Sequence, residues 1–288
     1  MRVKTFSAKK SQKVSLEILN TFSFVNYNLV KKLIRNKDIK VNGKRISADI
    51  VINAGDEVSF YINDLVENNL DVIFEDENII VVFKKRKIET VSLTGEPDLK
   101  NLIDNYLNKN CYAVHRLDRN TEGLVIFAKN EVAKKSLDDA LKNRTIQKYY
   151  LALVYGLFNK QSEKMTAYLK KFENKSYVEI IDDKKQGYEK IQTNYKVIKS
   201  FDDSTLVEVE LITGKTHQIR AHFAHIGHFV IGDEKYGDST INKHYKKKYQ
   251  NLCAYKIVFK FDNNDYLSYL NDKVIEIDKS KIDFCQNL

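Results

Sequence analysis

The chain alternates between short apolar runs and polar segments, and most of the runs are too short for helices. Leu124–Ala128 has five consecutive apolar residues, which is typical of a strand that is buried on both faces. Because predicted strands outnumber predicted helices, the pattern indicates an α+β fold with a mixed, largely antiparallel sheet. The other strands predicted in this part of the chain are Ile79–Phe83, Lys148–Tyr155, Tyr177–Ile181, Ile191–Ile198 and Thr205–Ile212.

Two helices are predicted between these strands from the spacing of apolar residues. Leu99–Leu107 is amphipathic. A second helix is expected to run to Lys142 with Asn130 as its N-cap, because an Asn side chain can accept a hydrogen bond from the first helical turn. Its buried face is predicted to contain Val132, Leu137, Ala140 and Leu141.

A separate small α/β module is predicted at residues 1–62. Helical patterns occur around Leu16–Leu19 and at Asn28–Arg35. Asn42-Gly43, between alternating apolar and polar residues, is a strong signal for a β-hairpin. A polar segment at residues 63–71 predicts a linker, and residues 72–288 are assigned to a larger second domain.

Composition places the chain among folded globular proteins, since 43% of the 288 residues are apolar and 30% are charged. No apolar run approaches the roughly 18 residues of a membrane-spanning helix, and we expect no secretory signal. Cys111, Cys253 and Cys285 are far apart in the sequence, so free thiols are expected. These features predict a cytoplasmic protein with no membrane association.

Positive charge is concentrated near the N-terminus. The net charge is +9, and residues 1–60, with twelve basic and five acidic side chains, account for +7 of it. A basic module on a nearly neutral body suggests binding of a polyanion such as RNA, although a solvated helix surface would explain the same charge. A second basic run, Lys243–Lys248, is interpreted as a solvated loop in preference to an RNA contact.

Two polar segments beside predicted strands contain the candidates for chemistry. Residues 115–122 precede the strand at Leu124 and place Asp118 where a carboxylate could stand at the mouth of a pocket. Residues 213–228 follow the strand at Thr205 and contain Arg220 and four of the six histidines. We expect the polar groups of the second segment to face the first.

Two kinds of site are disfavoured for these residues. In a metal site, His217 and His222 would point about 140° apart on a helix, and no zinc-binding motif accompanies them or their neighbours His225 and His228. In a glycosidase, two carboxylates must lie on opposite sides of a sugar, whereas residues four apart in one loop would lie side by side. Glu122 is therefore interpreted as a solvated surface group.

The favoured hypothesis is a single nucleophilic carboxylate, Asp118, paired with Arg220. Burial disfavours the charged form of a carboxylate, and a neighbouring guanidinium opposes this effect. Arg suits the role because it can bind a carboxylate through two hydrogen bonds and keeps its charge. One carboxylate fits a reaction that breaks and remakes a glycosidic bond without net addition of water.

Three motifs in these segments resemble those of the RluA-type RNA pseudouridine synthases. His115–Leu124 resembles H-R-L-D-x-x-T-S-G-L, and Lys148–Val154 resembles K-x-Y-x-A-L-V. Leu211–Gly237 resembles L-x-T-G-R-T-H-Q-I-R-x-H followed by G-H-P-I-x-G-D-x-x-Y-G. In addition, Leu29–Ile62 is similar to the S4 RNA-binding fold in Leu33-Ile34-Arg35, Ile39–Lys44 and Gly55–Val58. The likeness covers nearly the whole chain.

The resemblance implies a pseudouridine-synthase-like catalytic domain that isomerises a flipped-out uridine in RNA, attached to an S4-like module. Asp118 would be the nucleophile, Arg220 its partner, and Tyr150 would lie against the base and assist removal of the C5 proton. Arg116 would fill the gap left by the extruded uridine. The other expected RNA contacts are His115, Thr121, Lys215 and His217, together with Lys31, Lys32, Arg35, Lys40, Lys44 and Arg45 of the S4-like module.

The same resemblance implies no metal and no organic cofactor. Large-subunit ribosomal RNA is favoured over tRNA as the substrate, and a monomer is expected. The alternative is a non-catalytic RNA-binding or ribosome-assembly factor with the same fold, and the presence of Asp118, Tyr150 and Arg220 argues against it.

The chain departs from the family pattern at a few positions. Glu122 stands where Ser is usual, Asn120 where Asp is common and Lys215 where Arg is usual. Phe229-Val230 replaces the P-I pair. Val82–Lys87 lacks the expected N-K-P-x-G motif and keeps only its lysine, Lys84.

Overall fold

The computed structural model describes residues 2–22, 25, 27–62, 70–92, 94, 96, 98–172 and 177–285. Most of the predicted linker, residues 63–69, lies outside this described part. Within it, none of the helices combines the length and apolar character needed to cross a bilayer.

The first 62 residues build a small antiparallel sheet beside two helices. The elements are β1 (Arg2–Ser7), β2 (Gln12–Lys13), α1 (Val14–Thr21), α2 (Tyr27–Arg35), β3 (Ile39–Val41), β4 (Lys44–Arg45), β5 (Val51–Ile52) and β6 (Glu57–Ile62). The sheet has the order β1-β6-β3-β4, and β2 pairs separately with β5. Helices and sheet share a hydrophobic core that includes Ile18, Val30 and Phe60.

The predicted hairpin at Asn42-Gly43 is confirmed. The pair joins β3 to β4 and places Val41 opposite Lys44. Both turn residues have positive φ, 48° and 77°, as a two-residue hairpin turn matched to the strand twist requires. The Asn42 side chain also donates to the Asp56 carboxylate at 2.9 Å, which ties the hairpin to the turn before β6.

The remainder of the described chain builds one large sheet with helices packed on it. The first strands and helices are β7 (Asp71–Glu75), β8 (Ile79–Lys84), α3 (Leu99–Leu107), β9 (Tyr112–Ala113), β10 (Glu122–Ala128), α4 (Glu131–Asn143) and β11 (Ile146–Tyr155). They are followed by β12 (Ser162–Lys171), β13 (Val178–Ile181), β14 (Glu189–Ser200), β15 (Ser204–Leu211), α5 (Gln218–His225), α6 (Ser239–His244), β16 (Leu252–Phe259) and β17 (Val274–Glu276). Short 3-10 turns lie at Ser268–Leu270, Lys279–Lys281 and Asp283–Cys285.

The strands of the large sheet follow the order β13-β12-β14-β15-β11-β16-β10-β8-β7, with β17 beside β16 and β9 beside β10. Strands β10 and β16 pair in parallel. On either side of this pair, β8 is antiparallel to β10 and β11 is antiparallel to β16. The predicted α+β fold with a mixed, largely antiparallel sheet is confirmed. The strands predicted around Ile79, Lys148, Tyr177, Ile191 and Thr205 are all present.

Strand β10 lies between β16 and β8 in this sheet, and all seven of its residues are buried. Val125 and Phe127 point into the core that also contains Tyr150. Leu124 and Ile126 point to the opposite face, into the core that is covered by α4. This alternation confirms the prediction of a strand buried on both faces.

Helix α4 begins as predicted, since the Asn130 side chain accepts a hydrogen bond from the backbone N–H of Ala133 at 2.8 Å. The prediction that Val132 belongs to the buried face of this helix is wrong, because Val132 is 56% exposed. The buried face instead contains Ala133, Ser136, Leu137 and Ala140. Each helical residue advances by about 100°, so a stripe that starts at Ala133 turns Val132 toward solvent.

Gly123 allows the segment before β10 to meet the sheet closely. Its φ is 124°, and a Cβ at this position would lie 2.3 Å from the carbonyl oxygen of Ala254, its partner in β16. Only glycine accommodates both the conformation and the approach. Residues 115–122 are thereby held against the centre of the sheet.

The loop after β8 adopts a glycine-like conformation without a glycine. When Lys84 is aligned with the lysine of the N-K-P-x-G motif, Lys87 takes the place of the glycine. Lys87 has a φ of 70°, in the left-handed region. The turn therefore has, at Lys87, a backbone conformation that glycine adopts readily, although its sequence departs from the family pattern.

Candidate active site

The two residues chosen as a pair from the sequence, Asp118 and Arg220, are in contact. Arg220 Nη1 donates a hydrogen bond to Asp118 Oδ2 at 2.8 Å. The Asp118 side chain is 26% exposed and the Arg220 side chain 8%. The structure thus places one buried cation behind one accessible carboxylate, 102 residues away along the chain.

The loop that holds Asp118 is fixed from two sides. The fully buried Lys84 side chain donates hydrogen bonds to the carbonyl groups of Ile88 at 2.9 Å and Arg119 at 3.1 Å. The Thr90 hydroxyl accepts from the backbone N–H of Leu117 at 3.1 Å. Because the Arg119 carbonyl group and the Leu117 N–H, on either side of Asp118, are bound by buried side chains, these contacts fix the position of Asp118.

Burial lowers the pKa of Lys84 to about 7, while the negative charges of Asp118 and Glu122 oppose this shift. Its charged and neutral forms are therefore both accessible near neutral pH. Its hydrogen bonds to carbonyl groups persist in either state, because the neutral amine also donates.

Asp233 holds Arg220 in place. Its two oxygens accept hydrogen bonds from Arg220 Nε at 2.6 Å and Nη2 at 2.9 Å, and its side chain is completely buried. Burial alone would raise the pKa of Asp233, but Arg220 and the backbone N–H groups of Lys235 and Tyr236 hold it below its ordinary value. Burial would likewise lower the pKa of Arg220, whereas Asp233 and Asp118 raise it, so the guanidinium stays charged.

A cavity of about 500 Å³ opens in front of Asp118. Tyr150 and Arg220 line it, and Arg116 lies exposed on its rim. The volume falls in the range of roughly 300–1,000 Å³ that is typical of small-molecule pockets. The pairing register of β11 with β16 shifts between Tyr149 and Tyr150, and a bulge of this kind can direct a side chain into a site.

Burial and the charge of Asp118 raise the pKa of Tyr150 above its ordinary value. Its hydroxyl is therefore protonated at neutral pH. The ring offers the cavity an apolar surface of the kind on which a nucleobase can lie, and the phenol can donate a hydrogen bond.

Burial lowers the pKa of two histidines and one lysine of the cavity wall, which favours their neutral forms. The pKa of His217 is lowered to about 4 and that of His115 to about 3. His217 Nδ1 lies 2.9 Å from the Tyr236 hydroxyl, and its Nε2 lies 4.0 Å from Asp118. Burial also lowers the pKa of Lys148. Arg220 is consequently the main permanent positive charge that contacts Asp118.

Several of the expected RNA-contacting residues line the cavity, with different exposures. Lys215 lies on the wall and forms an ion pair with Glu189. His115 Nε2 accepts a hydrogen bond from the backbone N–H of Ile126 at 3.0 Å, which joins the loop to β10. Thr121 also lines the cavity, but it is only 2% exposed, and its hydroxyl accepts a hydrogen bond from Gln250 that supports the loop.

The interpretation of Glu122 as a solvated surface group is wrong. Its side chain is buried and pairs with Arg86 at 2.7 Å. Burial raises the pKa of Glu122, and the Arg86 charge opposes the shift. Because Glu122 points to Arg86 and does not line the cavity, the described residues of the cavity wall include no second carboxylate opposite Asp118 for a glycosidase.

The histidines of the second polar segment have separate partners. His222 contacts the Thr193 hydroxyl at 3.1 Å, His225 the Asp182 carboxylate at 2.8 Å and His228 the carbonyl group of Tyr155 at 3.0 Å. Among the described residues, no group of three or more His, Cys, Asp or Glu side chains is arranged to hold a metal ion.

The basic residues expected to bind RNA in the N-terminal module lie on α2 and on the β3–β4 hairpin. Lys40 and Arg45 flank the ring of Tyr61, each 5.5 Å from its centroid. Lys32 pairs with Glu96 of the larger part of the chain. Of the others, Lys31, Arg35 and Lys44 are exposed.

Sequence reasoning quoted Asp233 and Tyr236 as motif letters but assigned neither a role. Asp233 clamps Arg220, and Tyr236 joins His217 through its hydroxyl while its ring lies 5.3 Å from the Arg220 guanidinium. The G-D-x-x-Y-G pattern was the sequence feature that could have indicated a role for these two residues. Lys84 was noted only as a remnant of a motif, since nothing in the local sequence shows that its side chain is buried.

Comparisons with known proteins show the family and the fold of this chain. A family model described as RNA pseudouridylate synthase matches residues 78–225. The chain is 35% identical to an uncharacterised RNA pseudouridine synthase of Mycoplasma genitalium, over 77% of each protein. It is 30% identical to the ribosomal large subunit pseudouridine synthase C of Vibrio vulnificus, over 79% of this chain and 77% of that one. The structure of human RNA pseudouridylate synthase domain containing 1 covers 75% of this chain and 87% of its own, with a TM-score of 0.60 and 22% identity, which shows a shared fold.

Proposed function

Because the chain belongs to the RNA pseudouridylate synthase family, we propose that it isomerises uridine to pseudouridine in large-subunit ribosomal RNA with Asp118 as the nucleophile. The observation that carries the assignment of Asp118 is its contact with Arg220 at 2.8 Å beside a cavity of about 500 Å³. The choice of ribosomal RNA over tRNA is supported by the name of the Vibrio relative.

The proposed reaction needs one carboxylate and no added water. The bond between C1′ and N1 of an extruded uridine breaks, its electron pair remains on the uracil, and Asp118 bonds to C1′. The uracil turns within the cavity, and C5 displaces the carboxylate from C1′. The C5 proton is then lost and N1 gains one, so substrate and product have the same composition.

Each oxygen of Asp118 has a distinct place in this scheme. Arg220 binds Oδ2, and Oδ1 lies 4.0 Å from His217, beyond hydrogen-bond distance. Oδ1 is therefore the oxygen proposed to attack. The clamp on Oδ2 orients the carboxylate before the substrate arrives, which reduces the entropy cost of reaching the transition state.

Tyr150 is proposed to contact the uracil ring. Since its pKa is raised, the protonated phenol is a poor base at neutral pH. Asp118, which is released when the new bond forms, is the better acceptor for the C5 proton. The family resemblance suggested that Tyr150 assists in proton removal, and we propose that it does so through orientation of the base.

Residues 1–62 are proposed to be an S4-like RNA-binding domain, joined through residues 63–71 to a catalytic domain at residues 72–288. Support comes from the separate hydrophobic core of the N-terminal part and from the exposed basic side chains on its helix and hairpin. A backbone-binding module of this kind adds affinity that depends strongly on salt. We further propose that the enzyme acts as a cytoplasmic monomer.

Mapping of pseudouridines at nucleotide resolution tests the proposed function. Total RNA from host cells with and without the gene is compared, and wild-type protein is then supplied again. We expect at least one pseudouridine in large-subunit ribosomal RNA to disappear without the gene and to return with it. Changes confined to tRNA would refute the proposed substrate, and an unchanged map would refute the proposed activity in these cells.

A further inference from the structure

The structure carries a second basic surface next to the candidate active site. It contains Lys87, Arg119, Lys243, Lys246, Lys247 and Lys248, and we call it the basic rim. We propose that the basic rim binds backbone phosphates of the RNA nucleotides that flank the target uridine. This inference rests on the proposed function, because it assigns a contact to the same substrate.

The lysines of the rim surround a hollow of about 520 Å³. Its wall contains Lys243, Lys246, Lys247 and Lys248, and Glu234 is the carboxylate among the lining residues. In the part of the chain that the structure describes, none of these four lysines forms an ion pair. Unpaired ammonium groups around a hollow favour an anionic ligand over a neutral one.

Local composition strengthens this charge. Residues 234–248 contain five lysines and two acidic side chains, Glu234 and Asp238. Asp238 is occupied as the N-cap of α6, where it accepts hydrogen bonds from the backbone N–H groups of Thr240 at 2.7 Å and Ile241 at 3.0 Å. With five lysines and two carboxylates, the segment keeps a net positive charge.

The rim is continuous with the loop that holds Asp118. The ring of Tyr249 lies between two rim lysines, with Lys87 Nζ 5.3 Å and Lys248 Nζ 6.0 Å from its centroid. Arg119 Nε donates a hydrogen bond to the carbonyl group of Lys87 at 3.2 Å. Arg119 directly follows Asp118, so positive charge extends from the hollow to the edge of the cavity.

Both ends of the lysine-bearing segment are anchored at the candidate active site. At one end Asp233 clamps Arg220, and at the other Gln250 Nε2 donates to the Thr121 hydroxyl at 3.2 Å. Between them, the buried Asn242 side chain accepts from the backbone N–H of Gly232 at 2.6 Å. The segment is thus anchored beside the site, and Lys243, Lys246 and Lys248 are exposed, as the sequence suggested.

This placement explains why the ligand would be the flanking backbone of the substrate. A uridine that enters the cavity brings the phosphates on either side of it to the cavity edge, where a fixed row of cations can bind them. Lysine provides compact charges without base selectivity, which suits contact with phosphates. The rim would lower the cost of base extrusion by fixing the strand on one side of the flipped nucleotide.

The test compares two triple variants of the full chain. Lys243→Gln, Lys246→Gln and Lys248→Gln are combined in the rim variant. The control variant combines Lys164→Gln, Lys190→Gln and Lys196→Gln, which are exposed lysines on β12 and β14. The control side chains alternate with the buried Met165, Ile191 and Tyr195, so they lie on the face opposite the candidate active site. Thermal unfolding verifies that both variants are folded.

Binding to an unmodified full-length transcript of the host large-subunit ribosomal RNA is measured between 50 and 300 mM salt. Each lost phosphate contact should reduce the slope of log Kd against log salt by about 0.7–0.9, so the rim variant should lose about 2 from the slope and bind roughly 10–100-fold more weakly near 100 mM salt. The control variant should resemble the wild type. Equal slopes for the wild type and the rim variant would overturn the proposal, and so would equal losses in both variants.

Location is tested through a tethered cleavage reagent. Cys111, Cys253 and Cys285 are buried, so Lys246→Cys introduces an accessible thiol to which an iron chelate can be attached. Cleavage should cluster beside the nucleotide that the wild-type enzyme converts, and Lys196→Cys should give no such cluster. Cleavage elsewhere would overturn the rim assignment while pseudouridine formation by the wild type stands. Failure of the wild type to convert the transcript would instead refute the proposed function, together with the inference that depends on it.

Discussion

Arg220 lies between two carboxylates that differ in exposure. Asp233 is completely buried, and Asp118 retains 26% of its side-chain surface. Two negative groups share one positive group, so this cluster keeps a net negative charge, and the accessible oxygens belong to Asp118. Arg220 therefore acts as a support for the carboxylate as well as a counter-charge, and Asp233 determines where that support stands.

This arrangement predicts the effect of Asp233→Asn. The amide keeps the size of the carboxylate but loses its charge and presents an NH2 group to one of the Arg220 N–H donors. We expect the single-turnover rate at saturating RNA to fall about 10–100-fold, while Kd for RNA changes less than about threefold, because Arg220 is misplaced and the RNA surface is intact. Loss of one partner of a buried ion pair should also cost about 3–5 kcal/mol of unfolding free energy.

Asp272→Asn is the matched control, because Asp272 forms an exposed ion pair with Lys260. Surface pairs contribute about 0–1 kcal/mol, so this variant should retain its stability and its rate. If Asp233→Asn lost stability but kept the wild-type rate on the folded fraction, Asp233 would have no part in positioning Arg220.

For single residues, the sequence predicts the polar residues of the site better than it predicts which side chains are buried and paired. Asp118 and Arg220 were identified because both lie in polar segments next to predicted strands, and family motifs in the same segments supported the choice. Glu122 was misjudged because its partner, Arg86, lies 36 residues away in a segment that departs from the family pattern. The burial of a side chain and its ion-pair partner depend on which distant segments of the chain come into contact, and local composition does not predict those contacts.

The loop after β8 contains one residue in a strained backbone conformation. Lys87 occupies a left-handed backbone conformation with φ of 70°, which is unfavourable for a residue with a Cβ. Hydrogen bonds from the buried Lys84 side chain to the carbonyl groups of Ile88 and Arg119 hold the loop on both sides of this position. Local strain is thus maintained by a buried contact.

Lys87→Gly should accordingly stabilise the protein by about 1 kcal/mol, because glycine adopts positive φ without steric cost. Lys85→Gly is the control in the same loop, since Lys85 is exposed and is not among the residues with positive φ. That change should destabilise by about 0.5–1 kcal/mol through the added freedom of the unfolded chain. Urea unfolding measures both, and changes of the same sign in the two variants would argue against strain at Lys87.

Several strands of the large sheet were predicted from the sequence, but one of its inner strands was missed. β16 pairs with both β10 and β11 in the middle of the sheet, yet it was not predicted. Its apolar run is interrupted by Lys256, whose Nζ lies 4.4 Å from the Tyr149 ring centroid and pairs with Glu208 at 3.3 Å. A charged residue in a central strand is accommodated by partners on neighbouring strands, which only the assembled sheet reveals.

At the scale of the molecule, two of the surfaces that the described residues form are rich in basic side chains. One is the helix and hairpin of the N-terminal module, and the other is the basic rim beside the cavity. The bulk charge pointed to the first surface only, because residues 61–288 carry just +2 of the total of +9. A nearly neutral domain can nonetheless present a concentrated positive surface when its lysines are gathered at one edge of its site.

The role of the N-terminal module can be tested without removing it. Combined Lys40→Gln, Lys44→Gln and Arg45→Gln changes should reduce the slope of log Kd against log salt by about 2, because three predicted phosphate contacts on the hairpin are lost. Lys9→Gln, Lys10→Gln and Lys13→Gln remove the same charge from other exposed positions of the module and should have a smaller effect. An equal effect of both sets would mean that net charge, and not the hairpin, provides the affinity.

The assignment of Asp118 as nucleophile is tested most directly by single-turnover conversion of uridine by Asp118→Asn, with Kd for the same RNA measured in parallel. Pseudouridine formation should fall about 10⁴-fold or more while RNA binding stays within about threefold of wild type, because the amide can replace the carboxylate in shape but not in nucleophilicity. Conversion at a rate close to that of the wild type would contradict the central role of this side chain.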